Sequence, residues 1–264
     1  MQTFSFLQYF YNIILFRWEV QFVAWFFCDE QINSNTYTIS GENAHHISKS
    51  LRMNIGEELT LCSCYKTEFT CRISNITQDT VTVDIISQKP CENEPTIKVT
   101  LFQALTKGDK MDMIIQKAVE LGVTEIVPVL TSRCVSRPDS KSFSKKLVRF
   151  RKISQQAAMQ SRRGIIPKIT ELMNFAEAVK YSRTLSKSLL FYEGGGESVK
   201  SLVNTADTSV GIFIGSEGGF SNEEVSVFKD NGGHTATLGK RILRAETAPL
   251  AALSVIMFQT GNFE

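Results

Sequence analysis

The sequence predicts an α/β protein in two parts: a small β-rich domain, then a larger domain in which strands and helices alternate. Three observations carry this. From Phe26 to about Ile86 short alternating runs are punctuated by Gly41, Gly56, Asn75 and Asp79, a rhythm of strands and turns. From Ile97 onward strand-like runs alternate with apolar residues at helical spacing, the mark of a mostly parallel sheet. Between them Ser87 to Thr96 (SQKPCENEPT) holds two prolines and little hydrophobicity, which suits a linker. The chain of 264 residues has room for two such domains. We divide it into an atypical extension over 1–23, a β-rich domain over 24–90 and an α/β domain over 91–264.

Within the first domain, Leu59–Cys62 and Val81–Ile85 alternate as strands, and one helix is expected near Asn43–Leu51. In the second, Ile97–Ala104 alternates like a strand. Met111, Ile114, Ile115, Ala118 and Leu121 then recur at helical spacing until Gly122 ends the helix. Further strands are expected at Glu125–Val129, Ser188–Tyr192, Ser209–Ile214 and His234–Leu238. Helices are expected at Ser142–Ser161, Asn174–Tyr181, Asn222–Asp230 and Ala248–Gln259. The last is apolar all round and too short for a bilayer span, so it reads as a buried helix or a subunit interface.

Hydrophobic residues at 42% and charged residues at 21% exclude a disordered, collagen-like or multi-pass membrane chain. Six cysteines with no C-x-x-C pair argue against a disulfide framework, and Cys62, Cys64, Cys71, His45 and His46 lack zinc-ligand spacing; no metal is expected. The first 27 residues hold 11 aromatic residues, both tryptophans, and only Arg17 and Glu19 as charges. No Lys or Arg precedes the apolar run, as a secretory signal requires, and polar interruptions leave it short of a membrane span. A start codon assigned too early, with Val20 or Val23 as the alternative, is the favoured reading. No stable membrane association is expected, and the location is cytoplasmic.

Five segments stand out as candidate sites. Gly215-Ser216-Glu217-Gly218-Gly219-Phe220-Ser221 follows a strand and precedes a helix, where glycines let a ligand approach the backbone; it matches neither a dinucleotide fingerprint nor a P-loop. A plain turn with Ser221 as helix N-cap stands level with a cofactor loop. Leu238 to Ala248 sets Arg241, Arg244 and Glu246 between a strand and an apolar helix, with Thr247 as the expected cap and Pro249 in the first turn. Gly194-Gly195-Gly196 follows a third strand, so three strand ends have the chemistry to converge on one pocket. Between Arg133 and Lys168 there are eleven basic residues and one acid, Asp139. That density, with glutamines beside Arg162 and Arg163, favours a nucleic-acid backbone, RNA above all. His45 and His46 with Lys49 and Arg52 suit RNA phosphates and stacked bases as well as they suit a structural role.

In order along the chain, Phe26-Phe27, His45-His46 to Leu51-Arg52, Lys107-Gly108-Asp109-Lys110-Met111-Asp112 with Lys117 and Glu120-Leu121-Gly122-Val123, Gln160-Ser161 with Arg163 and Pro167, and the two loops above resemble the RsmE family of the SPOUT superfamily. Its members methylate N3 of a uridine in 16S ribosomal RNA. The resemblance runs from about Trp25 to Phe258. It implies a PUA-like RNA-binding β-barrel, an α/β domain with a trefoil knot, S-adenosylmethionine as methyl donor and a homodimer, with 16S RNA or the small ribosomal subunit as partner. It places Tyr192, Glu193, Gly215, Glu217, Gly218, Gly219, Leu238, Gly239, Arg241, Ile242 and Leu243 at the cofactor, and Arg133 and Arg163 at RNA. Three departures stand out: Ser216 in place of proline, which should loosen its loop; Arg162 in place of a small residue; and Trp25 in place of an arginine.

Methylating N3 means removing its proton, so Arg244 is expected to stabilise the anionic base, with Glu217 or Glu246 assisting deprotonation or anchoring the arginines. A SPOUT ribose 2′-O-methyltransferase and a non-catalytic RNA-binding ribosome-assembly factor are the alternatives.

Overall fold

A computed structural model describes residues 23–28, 30–63 and 66–263. The aromatic extension over 1–22 and the question of its start lie outside the described residues. The chain divides into two compact units, one reaching to Cys62 and including Glu68–Lys89, the other formed by Ser63–Thr67 and Pro90 onward.

The smaller unit contains β1 (Ala24–Cys28), β2 (Thr36–Ser40), the short helix α1 (Gly41–His45) running into a π-helical turn (His46–Ser50), β3 (Glu58–Ser63), β4 (Thr67–Ile76) and β5 (Thr80–Pro90). The five strands form one sheet in the order β1-β3-β4-β5-β2, antiparallel where β3 meets β4 and β2 meets β5. Alternation explains it: Leu59, Leu61, Phe69, Cys71, Ile73, Val81 and Val83 all turn inward and are buried. The expected linker begins later than its composition suggests. Ser87 to Pro90 extend β5, because backbone pairing to β4 does not require apolar side chains.

The larger unit contains β6 (Lys98–Ala104), α2 (Lys110–Glu120), β7 (Glu125–Leu130), α3 (Ser140–Gln160), β8 (Lys168–Ile169), β9 (Met173–Asn174), α4 (Phe175–Ser182), β10 (Lys187–Phe191), β11 (Glu197–Ser198), α5 (Val199–Leu202), β12 (Ser209–Ile214), α6 (Asn222–Asp230), β13 (His234–Thr237) and α7 (Ala248–Gln259). Its sheet runs β11-β13-β10-β12-β6-β7-β8 with β9 also on β7, and its pairings are parallel. The centre of the sheet is mostly apolar: Val99, Leu101, Phe102, Ile212 and Phe213 are buried beside the polar Thr100 and Gln103, and Phe102 stacks on Phe213 with ring centroids 4.3 Å apart.

The helices follow their local signals. Phe143, Leu147, Phe150, Ser154, Ala157 and Ala158 make the inner face of α3, leaving its lysines outside, and Asp139 caps it by accepting from the Ser142 N–H at 2.7 Å. Gly122 ends α2 at φ +94°, and a β-carbon there would lie 2.7 Å from the Pro95 ring. Ser221 does cap α6, in a reciprocal capping box with Glu224. Thr247 does not cap α7: it has helical backbone angles and makes no side-chain cap bond, because the chain is already turning there, with the Thr247 and Ala248 N–H groups bonded to the Arg244 carbonyl. Pro249 lies in the first turn of α7 as expected. Among the described residues no helix is long and apolar enough to cross a membrane.

Candidate active site

In a parallel sheet the carboxyl ends of the strands open along one edge, and ligands bind in the loops that leave them. Strands β13, β10 and β12 are neighbours, so the loops after Thr237, Phe191 and Ile214 meet there. They enclose a cavity of about 800 Å³, lined by Tyr192–Gly195, Gly215–Phe220, Leu238–Ala245 and Lys110 among others. The volume falls within the usual range for small-molecule sites, roughly 300–1,000 Å³. Three segments read separately from the sequence are thus brought together.

The Gly215–Phe220 loop is a tight turn in which the Gly219 N–H bonds to the Ser216 carbonyl at 2.9 Å. Gly219 has φ +66°, and a β-carbon on it would meet the Glu193 carboxylate at 2.6 Å, so the loops after β10 and β12 touch through a missing side chain. Tyr192 lies against Gly194 and donates to Asn222 Oδ1 at 3.1 Å. The segment after β7 braces the same turn from behind: Arg133 Nη1 donates to the Gly218 carbonyl at 3.0 Å, and Ser216 Oγ donates to the Arg133 carbonyl at 3.3 Å. Ser216 therefore ties this loop, contrary to the loosening expected of it.

The charged groups are organised by Lys110, at the start of α2. Its Nζ forms ion pairs with Glu217 Oε1 at 3.0 Å and with Glu246 Oε2 at 3.1 Å. The Lys107 N–H also donates to Glu217, at 3.2 Å. Burial works to raise the Glu217 pKa, but its own backbone N–H and the Lys110 and Lys107 contacts outweigh that and hold it below the usual carboxylate range. Glu246 is held low as well, by its own backbone N–H, then by Lys110 and Arg244. Lys110 is correspondingly raised, by Glu217 first and Glu246 second. Arg241, Ile242 and Arg244 are exposed at the cavity wall with Leu238, Gly239 and Leu243 beside them. Lys110 was visible in the sequence only as part of a matched stretch; that it pairs with two carboxylates over a hundred residues away has no local signature.

Away from the cavity, the candidate RNA-binding residues separate. In the smaller unit His45, His46 and Arg52 are exposed, and His46 makes an edge contact with the Phe26 ring. Trp25 is buried there. In the larger unit Arg162 is exposed in left-handed backbone at φ 55°, which accounts for a small residue being usual at that place. Arg163 is a correction. It is only 3% exposed, pairs with Glu94 through two 2.8 Å bonds, and donates to the Val119 and Val123 carbonyls. A guanidinium so enclosed cannot reach an RNA phosphate. Its neighbour in sequence points outward because the chain reverses between them.

Comparison with known proteins follows the same division of the chain. Residues 92–257 match a family model described as RNA methyltransferase domain, and residues 39–86 match one described as RNA methyltransferase PUA domain. The chain is 36% identical over 232 residues to ribosomal RNA small subunit methyltransferase E of Bacillus subtilis, covering 85% of this chain and 91% of that protein. It is 31% identical over 228 residues to the protein of that name from Buchnera aphidicola, covering 86% and 90%. A crystal structure of a ribosomal RNA small subunit methyltransferase E from Neisseria gonorrhoeae bound to S-adenosyl methionine superposes with a TM-score of 0.81 at 29% identity, covering 89% of this chain and 97% of that one.

Proposed function

Because the chain belongs to the RNA methyltransferase family that includes ribosomal RNA small subunit methyltransferase E, we propose that it methylates N3 of a uridine in 16S ribosomal RNA. It is an S-adenosylmethionine-dependent methyltransferase of small-subunit ribosomal RNA, with a SPOUT-type α/β domain and a PUA-like domain. The observation that carries the finer reading is the cavity at the strand ends, where a glycine-lined turn adjoins an arginine loop. The cavity volume and the open wall at Gly239, where a β-carbon would meet nothing within 4 Å, leave room for a nucleoside and its methionine tail. Tyr192, Glu193, Gly215, Glu217, Gly218, Gly219, Leu238, Gly239, Arg241, Ile242 and Leu243 are assigned to cofactor binding. When bound, S-adenosylmethionine supplies an electrophilic methyl group on a sulfonium and leaves as a neutral thioether.

The chain's own residues then have two tasks. Arg244 would stabilise the negative charge that develops on the uracil ring as N3 gives its proton to solvent water. Glu217 and Glu246 are poor bases for that proton, since both are held ionised at low pKa and grip Lys110; they anchor the site instead. His45, His46, Arg52, Arg133 and Arg162 contact the RNA, and the target base is presented unstacked so that N3 is exposed. The working form is a homodimer in the cytoplasm, where small subunits are assembled. Ala251, Val255 and Phe258 line the side of α7 turned away from its buried residues, and Phe258 is 69% exposed, as an apolar contact with a second copy requires.

Methyl transfer to purified small subunits and to naked 16S RNA, followed by nucleoside mass spectrometry, tests the reading. The expected product is 3-methyluridine. A 2′-O-methylated nucleoside would overturn the base assignment, and calorimetry showing no S-adenosylmethionine binding would point to a non-catalytic assembly factor.

A further inference from the structure

We propose that Lys110 is a positioning residue: by pairing with Glu217 and Glu246 together, it fixes the glycine turn and the arginine loop as one wall of the cavity. The inference rests on the methyltransferase reading of that cavity. The three residues come from the start of α2, the turn after β12 and the segment entering α7, so one ammonium joins three parts of the chain. The glycine turn has other supports, from Arg133, Ser216 and Lys107. The arginine loop has few. Thr237 Oγ1 accepts from the Gly239 N–H at its start, and the Arg244 carbonyl caps the turn at its end. Glu246 lies inside that second turn, two residues from Arg244, so its hold on Lys110 is the side-chain tie that sets where the arginine stands relative to the glycine turn.

Energetics point the same way. The Lys110, Glu217 and Glu246 side chains are 32%, 30% and 19% exposed, and ion pairs this open to water contribute little to folding. Their effect is on geometry at the site, where a displacement of about 1 Å can reduce rate by about a hundredfold. A lysine that served only the fold would show the opposite balance, with a large effect on stability and a small one on the donor.

The experiment compares Lys110→Met, Lys110→Arg and Glu246→Gln in the full chain, with S-adenosylmethionine affinity by calorimetry, kcat and KM for the donor, and melting temperature. Lys110→Met is expected to lower kcat/KM about 10- to 100-fold while the melting temperature moves by only about 2–4 °C. Its acid limb should shift up part of the way toward the ordinary carboxylate range, because Glu217 and Glu246 keep their backbone N–H bonds but lose the cation that helps hold them low. Lys110→Arg, which keeps the charge, should recover most of the loss. Adding Glu246→Gln to Lys110→Met should cost less than about threefold more, as expected for residues acting as one unit. Unchanged donor kinetics and pH profile in Lys110→Met, or full additivity with Glu246→Gln, would overturn the proposal. So would failure of both Lys110→Met and Lys110→Arg to fold, which would make Lys110 structural. Calorimetry reads the donor wall even if the wild-type product is not 3-methyluridine, so the two readings fail separately.

Discussion

Replacing Arg163 by alanine separates a structural arginine from an RNA-binding one. Arg163 and Glu94 are 3% and 9% exposed, joined by two 2.8 Å bonds, and Glu94 Oε1 also accepts from the Gly164 N–H at 2.8 Å. Two further guanidinium donors reach the Val119 carbonyl at 2.7 Å and the Val123 carbonyl at 3.0 Å, at the end of α2 and the entry to β7. Truncation leaves a buried carboxylate without its cation and removes one donor each from the Val119 and Val123 carbonyls, the first of which still accepts from the Gly122 N–H. Breaking a buried pair from one side costs about 3–5 kcal/mol. For a unit of this size about 1 kcal/mol moves the melting temperature by about 2–4 °C, so the expected fall is roughly 6–20 °C. Differential scanning calorimetry of the full chain gives the melting temperature, and fluorescence anisotropy with a 16S fragment, taken well below the transition, gives RNA affinity. Arg162→Ala is the matched control: its side chain is exposed, so it should weaken RNA binding with little change in melting temperature. A variant of Arg163 that melts within about 2 °C of wild type and binds RNA tenfold more weakly would refute the assignment.

Other outcomes follow from the site and the core. Arg244→Ala should abolish methyl transfer and leave RNA affinity nearly intact; loss of both would mean that the residue holds RNA rather than the transition state. Gly219→Ala places a methyl group in left-handed backbone 2.6 Å from the Glu193 carboxylate, a strain of about 1–2 kcal/mol, and calorimetry should show roughly tenfold weaker donor binding. Cys71 is pushed up from 9.0 to about 12, chiefly by burial, and Tyr181 from 10.0 to about 12, chiefly by its 2.5 Å bond to Glu125. In the unfolded chain both groups lose their protons near their ordinary values, while the folded chain keeps them, so stability is full below about pH 9 and is lost as pH rises toward about 12. Thermal melts across that window should fall, and Cys71→Ala with Tyr181→Phe should flatten the fall.

The elements with strong local pattern were legible in the sequence. An apolar run gave Ser209–Ile214, Ser221 ahead of a helical pattern gave Asn222–Asp230, and an apolar stretch with Pro249 in its first turn gave Ala248–Gln259, with the same limits in the structure. The short strands β8, β9 and β11, of two residues each, were not legible, because their extended conformation is imposed by neighbours in the sheet rather than by their side chains. Of the candidate site, the three loops were legible because glycines and charged residues after apolar strands are unusual locally. Their convergence depends on the strand order β13-β10-β12, which places the last strand beside an earlier one and has no periodicity to betray it. Arg163 was misread for a related reason. A row of basic residues carries no mark of which one the fold will turn inward onto a glutamate 69 residues away.

That last point bears on how the basic segment from 133 to 168 should be understood. Its eleven cations against one acid are a property of the linear chain. In the folded chain Arg163 is matched by Glu94, Arg149 by Asp112, Arg151 by Glu171 and Lys168 by Glu125, and each of those acids lies outside the segment. Arg133 and Arg137 keep their charge but spend their geometry on the carbonyls of Gly218, Thr131 and Ser132. What the segment offers outward is the solvent face of α3, with Lys141, Lys145 and Lys146, and Arg162 just beyond the helix. Since α3 buries Phe143, Leu147 and Phe150 at intervals of four and three, the lysines between them are forced to the opposite side. The same periodicity that fixes the helix to the sheet therefore gathers the lysines that can meet phosphate, while Arg133, Arg137 and Arg163 are drawn into holding the domain and its glycine turn together.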